Sequence, residues 1–248
     1  MKLQCQLICL VHCLKILVIF CCLTLMVRPS LHHLVSVPAR ESKHTILPSD
    51  IIVCEGQNIM IDMCALNRAM HETEQAPGLT IYCHGLSVAS YFTDLYCHLK
   101  HGTKLREQWR LPNWITPSLL DRCELPHVMT KYLIWHDCGK PFCKTINEDG
   151  KVSFPNHSQI SHDMWLAAGG EPEIAQLMLM DMDIHTLKSD GLEEFAKRPQ
   201  AISLILSGLC AIHSNAEMFG GIDSTSFKIK WKHIDKRGRQ ILQLINGA

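Results

Sequence analysis

The apolar positions of this chain repeat mainly at helical spacing. In "NIMIDMCALNRAMHE" they recur at three- and four-residue steps, which predicts a first helix. "APGLT" interrupts the pattern, and a second helix follows with His84, Val88, Phe92, Leu95 and Leu99 along one face. A charged, proline-broken connection, "KHGTKLREQWRLPNWITP", leads to a third helix from about His127. Its stripe is Val128, Met129, Tyr132, Leu133 and His136, and Gly139 and Pro141 end it in the manner of a C-terminal glycine with a trailing proline. "TINEDGKVSF" predicts a short hairpin around Asp149-Gly150. A helix through Trp165 stops at Gly169-Gly170. "EPEIAQLMLMDMDIHTL" is apolar almost all round and reads as a central helix, and "AISLILSGLCAIHSNAEM" as another buried one. In "SFKIKWKHI", Phe227, Ile229 and Trp231 alternate with lysines, which predicts a half-buried strand or extended edge. The expected fold is all-α, with a short C-terminal β-strand or extended basic segment.

Two flanking segments depart from this pattern. Residues 1–28 contain no acidic residue, and twelve uncharged residues run from Ile16 to Val27. That length suits a signal-peptide core; counting through Lys15 gives a span-length stretch instead. Anchor, signal or upstream extension all stay open. Residues 29–50, punctuated by Pro29, Pro38 and Pro48, read as a linker. The organisation is therefore 1–28 as an apolar segment, 29–74 as linker and first helix, and 75–248 as the working domain with its basic end.

Composition changes the picture little. Of 248 residues, 47% are hydrophobic and 19% charged, enough for one sizeable core. Lysine plus arginine equals aspartate plus glutamate at 24 each. No global field then draws nucleic acid or membrane, and such affinity must be local. Thirteen cysteines form no CxxC pair, which points to free thiols in a reducing compartment rather than a zinc ribbon or a disulfide framework. A cytoplasmic location follows, with membrane association through residues 1–28 as the variant.

The candidate chemistry centres on "WHDCGKP". Adjacent helical side chains diverge, so His136 beside Asp137 at a helix end suggests one centre that uses both. Imidazole and carboxylate groups converging from several elements suit a divalent metal, and His84, His136, Asp137, His157 and His185 all sit at helix ends or on apolar helices. One metal, or two bridged by the aspartate, fits this set. Lys140 is placed either for a substrate phosphate or for the helix dipole. Cys138 reads as a small filler.

"HGLSVASYF", "HDCGKP" and "FPNHSQIS", in that order, resemble the HD-domain metal-dependent phosphohydrolases over roughly residues 75–220. The resemblance implies a helical bundle in which His84, His136 and Asp137 hold a divalent ion such as Mn, Co, Ni, Fe or Mg. It implies hydrolysis of a phosphoester by metal-activated water, with Asp137, Lys140 and His157 catalytic. His157 and His185 match positions that carry a second metal or bind phosphate in some relatives. A late aspartate normally completes the ligand set, and here the sequence departs: "LCAIHSNAEM" has none. His213, Ser214, Asn215, Asp181 and Asp183 are the alternatives, with Asn215 carried forward as the further ligand. "HSNAEMFGGIDSTSFKIKWKHIDKRG" is similar to the HD phosphoesterase module of bacterial and phage RNA end-repair proteins, although this chain carries no GxxxxGK[ST] loop for a joined kinase. The expected substrate is a phosphorylated small molecule or RNA end. Nucleic acid would contact Lys228, Lys230, Lys232, Arg237 and Arg239. A non-catalytic nucleotide- or RNA-binding module and a membrane-tethered phosphodiesterase are the rivals.

Overall fold

Helices account for most of the computed structural model, which describes residues 61–247. The expectations for residues 1–28 and 29–50 lie outside the described residues. Ile61–Ala248 forms one compact unit. Among the described residues, no helix is long and apolar enough to cross a membrane.

Helix α1, Met63–Glu72, starts where Asp62 accepts a hydrogen bond from the Ala65 amide at 2.7 Å. "APGLT" forms a small antiparallel pair, β1 (Glu74–Ala76) and β2 (Leu79–Thr80). Thr80 then caps α2, Ile81–His101, by accepting from the Cys83 amide at 3.1 Å. The predicted face is buried from His84 through Val88, Phe92 and Leu95. The charged connection after α2 has no helix until a 3-10 turn at Pro117–Arg122, yet it is tightly held. The buried Asp94 carboxylate accepts from the amides of Arg106 and Glu107 and from Trp109 Nε1, each at 3.0–3.1 Å.

Helix α3, Pro126–Trp135, presents the predicted stripe. Its end differs from expectation. Gly139 has φ −81°, so it is no left-handed cap. It is glycine because a Cβ there would fall 2.3 Å from the Ser161 amide nitrogen of the next helix. The hairpin is as predicted, with Thr145 opposite Ser153 and Ile146 opposite Val152 in β3 (Thr145–Ile146) and β4 (Val152–Ser153). Helix α4 follows at His157–Ala167.

The long apolar stretch after it does not make one central helix. α5 covers Pro172–Leu179, and a single-turn α6 covers Asp183–Thr186 after a break at residues 180–182. Only one side of α5 is buried, because Glu173 and Gln176 face solvent. A short α7 at Leu192–Ala196 precedes α8, Ala201–Ser214, and α8 takes the central place. Twelve of its fourteen residues are buried, and the polar ones find partners: Ser203 Oγ accepts the Glu124 amide at 2.9 Å, and Ser207 Oγ donates to the Leu204 carbonyl at 3.0 Å.

The largest correction is at the C-terminus. "SFKIKWKHI" is no strand or extended edge but the start of α9, Thr225–Gly247. Phe227, Trp231, Ile234, Gly238, Ile241 and Ile245 step by four and three, a helical stripe that overlaps the period-two alternation. Phe227, Ile234, Gly238 and Ile241 are buried, whereas Ile229, which completes the strand pattern, is 64% exposed. Ser224 Oγ accepts the Phe227 amide at 3.1 Å and starts the helix. Trp231 Nε1 donates to the Arg110 carbonyl at 2.6 Å, and Trp114 Nε1 to Asp235 at 3.1 Å, so α9 is sewn to the connection after α2.

Candidate metal centre

Two helices deliver the centre. His84 lies one turn into α2, and His136 and Asp137 follow α3 directly. Gly85 lets the two helices cross closely: a Cβ there would sit 2.0 Å from the Ile134 carbonyl oxygen. That crossing brings His84 Nε2 to 3.6 Å and His136 Nε2 to 3.2 Å from Asp137 Oδ2. The three side chains are buried, at 3%, 4% and 2% exposure. One donor atom from each falls within 4.8 Å of the others.

Two further predicted residues join them. Lys140 Nζ lies 2.6 Å from Asp137 Oδ2 and donates to Gln75 Oε1 of β1, also at 2.6 Å. The Phe154 ring lies 5.3 Å away. His157 Nε2 approaches the other oxygen, Oδ1, at 3.7 Å. Asn156, in the left-handed region at φ 54°, turns the chain sharply before α4, and Phe154 O holds His157 Nδ1 at 2.9 Å. Ser161 locks the motif onto α4: its Oγ accepts the Gly139 amide at 2.9 Å, and its carbonyl accepts from Cys138 Sγ at 3.5 Å. Burial pushes the Cys138 thiol far up, as suits a filler and not a nucleophile.

The donor set fits a divalent ion. His136 Nδ1 bonds the Leu133 carbonyl at 2.8 Å, and His157 Nδ1 bonds Phe154 O. With the protons there, both Nε2 lone pairs face the Asp137 carboxylate. Lone pair against carboxylate is repulsive unless a cation stands between them, and a carbonyl-held Nδ1–H is the usual support for a metal-binding Nε2. A proton is the other cation that serves. Burial lowers His136, but the carboxylates of Asp137 and Asp181 outweigh it and raise it to about 9. Burial lowers His84 to about 3, so it stays neutral, and its Nδ1 has no hydrogen-bond partner. Burial raises the Asp137 carboxyl, but His136 and Lys140 prevail and hold it well below the usual range.

The other candidates separate. His185 lies on α6, where burial lowers its pKa and the charge of Asp181 opposes that. Asn215 caps α8, next to Ser214, whose hydroxyl meets that of Ser87 at 2.9 Å one turn beyond His84. Asn215 Oδ1 is buried without a hydrogen-bond partner. His213 is fully engaged elsewhere, through Leu209 O at 2.7 Å and the Arg110 amide at 3.1 Å. Asp183 pairs with Arg198. Asp181 accepts the buried Tyr132 hydroxyl, and its charge acts on His136. Gln75 gave no sequence signal, because it lies in an irregular strand far from the motif. Comparison of the chain with protein-family models, curated proteins and solved structures finds no match.

Proposed function

We propose that this chain is a metal-dependent phosphohydrolase of the HD-domain type, acting on a nucleotide or RNA-end phosphate. The observation that carries the reading is the convergence of three imidazole nitrogens and the Lys140 ammonium on one buried carboxylate. His84, His136 and Asp137 are the residues to hold a divalent ion, with Asn215 or Asp181 as the further ligand. An ion held there supplies a Lewis acid and a bound water of lowered pKa. Asp137 neutralises and orients that ligand set. Lys140, steadied by Gln75, offers its ammonium to a phosphoryl oxygen, where a charge-assisted hydrogen bond strengthens as negative charge grows in the transition state. His157 is 17% exposed and Lys140 12%, so they face the more open side of the cluster, where a phosphate enters.

The test is a phosphatase screen on the full chain with added manganese or cobalt, covering nucleoside monophosphates, deoxynucleoside triphosphates, 2′,3′-cyclic nucleotides and RNA 3′-phosphates. Metal-dependent turnover that Asp137→Ala abolishes is the expected result. Turnover that survives this substitution would sink the mechanism.

A second reading, a non-catalytic nucleotide- or RNA-binding module, has one observation in its favour. Lys140 already neutralises Asp137, and α8 ends in Ser214 and Asn215 where a carboxylate would complete the set. A protein whose thermal stability gains nothing from manganese would favour it.

A further inference from the structure

The chain as a whole is neutral, but its last helix is not. Helix α9 holds six of the 24 lysines and arginines and one of the 24 aspartates and glutamates. Two of those cations are turned to other neighbours. Arg237 Nε donates to the Leu187 carbonyl at 3.0 Å and its Nη1 to Gln240 Oε1 at 3.0 Å, and the Lys230 ammonium lies 5.0 Å from the Phe219 ring centre. The other four, Lys228, Lys232, Lys236 and Arg239, recur at steps of four, four and three, so they stand one above another on a single face. At about 100° per residue that face points away from the buried Phe227, Ile234, Gly238 and Ile241. The stripe runs about 16 Å, at a rise of about 1.5 Å per residue. Lys232, Lys236 and Arg239 are exposed and Lys228 partly so. Lys228 has Asp223 at 3.7 Å and Arg239 has Asp235 at 2.6 Å, whereas Lys232 and Lys236 make no ion pair among the described residues. Ion pairs open to water are weak enough to yield to another anion.

Two features select that anion. Ile229, three residues before Lys232 and seven before Lys236, lies on the same face and is 64% exposed. No aromatic ring joins it on this face of α9: Phe227 is buried, and Trp231 is tied inward through its Nε1 to the Arg110 carbonyl at 2.6 Å. Single-stranded nucleic acid is held by cations together with stacking aromatics. A basic helix face with an aliphatic side chain and no rings suits a lipid surface instead, where cations meet the headgroups and the aliphatic group enters the acyl boundary.

We propose that the outward face of α9, through Lys228, Lys232, Lys236, Arg239 and Ile229, docks the protein on an anionic bilayer surface. The contact is peripheral. The four cations meet the lipid headgroups, and their methylene stems lie beside Ile229 at the same depth. It uses none of the residues around Asp137.

The experiment is cosedimentation of the full chain with vesicles of phosphatidylcholine alone and with vesicles containing about 30% phosphatidylserine. Binding to the anionic vesicles is expected, with release at high salt. An apolar segment such as residues 1–28 partitions into either vesicle, so the salt-sensitive, serine-dependent part of the binding reports α9. Each cation at such a surface is worth about fivefold, so Lys232→Gln combined with Lys236→Gln should weaken that part about 25-fold. Ile229→Ala should weaken it several-fold. Equal binding to both vesicle types, or anionic binding that the double substitution leaves unchanged, would overturn the proposal. So would binding of a single-stranded oligoribonucleotide that the double substitution removes while vesicle binding stays, which assigns the face to nucleic acid.

Discussion

Lys140 Nζ lies 2.6 Å from Asp137 Oδ2 in a largely buried place, so this lysine and aspartate form the charge balance of the whole cluster. Around them burial lowers His136, but the carboxylates of Asp137 and Asp181 prevail and raise it to about 9, while burial lowers His84 to about 3. Removing the carboxylate leaves buried positive charge with nothing opposite it.

Asp137→Ala should therefore destabilise the protein as well as silence it. Breaking a buried pair from one side costs about 3–5 kcal/mol. Urea denaturation of the metal-free protein reads this directly. A variant as stable as the parent would show that Asp137 and Lys140 are solvated in solution.

Manganese should raise the melting temperature of the unmodified chain and leave that of Asp137→Asn unchanged. A ligand that binds only the folded state adds about 2.7 kcal/mol at a hundredfold excess over its dissociation constant. An equal rise in both proteins would place the ion elsewhere.

Gly85→Ala tests the crossing that brings His84 to the pair. The added methyl meets the Ile134 carbonyl oxygen, and helices α2 and α3 must part. Overpacking of this kind costs about 1–3 kcal/mol or more. Metal affinity should fall with stability, because the ligands come from the two separated helices.

His213 gives the fold a pH dependence of its own. Burial lowers it to about 4, against an ordinary value of 6.5, and its Nε2 must stay unprotonated to accept the Arg110 amide. The unfolded chain binds this proton more readily than the folded one. The contribution is complete above pH 6.5 and is lost as pH falls toward 4, up to about 3 kcal/mol. Denaturation curves between pH 7 and 4 should show this loss, and His213→Gln should flatten it.

Two substitutions in α9 separate helix from strand. Phe227 is fully buried, and Phe227→Ala should cost about 3–5 kcal/mol. Ile229→Lys, on the exposed side, should change stability by less than about 0.5 kcal/mol. A strand with Phe227 and Ile229 on one face would make the two comparably harmful.

Much of the centre was legible from local pattern. His84, His136, Asp137, Lys140 and His157 sit in motifs whose spacing reflects helix ends, and the structure brings all five together. The hairpin at Asp149-Gly150 was equally local, because Gly150 sits at φ 75° and its turn closes within five residues. The C-terminal helix differs from the expected strand because a seven-residue repeat and a two-residue alternation share Phe227 and Trp231, and packing alone decides between them. Gln75 and Asp181 were harder still: their roles come from side chains that sequence separation hides, 65 residues for Gln75 to Lys140 and 49 for Asp181 to Tyr132.

By itself, then, the sequence determined the helical class, the His-Asp motif and its order along the chain, since these depend on periodicity and on neighbours a turn away. Tertiary structure decided which helix is central, that α9 is a helix, and which groups outside the motif reach the cluster. Those outcomes depend on contacts between residues distant in the chain, such as Gly85 with Ile134, Trp231 with Arg110 and His185 with Gly208. Close packing between helices sets them, and no local pattern encodes it.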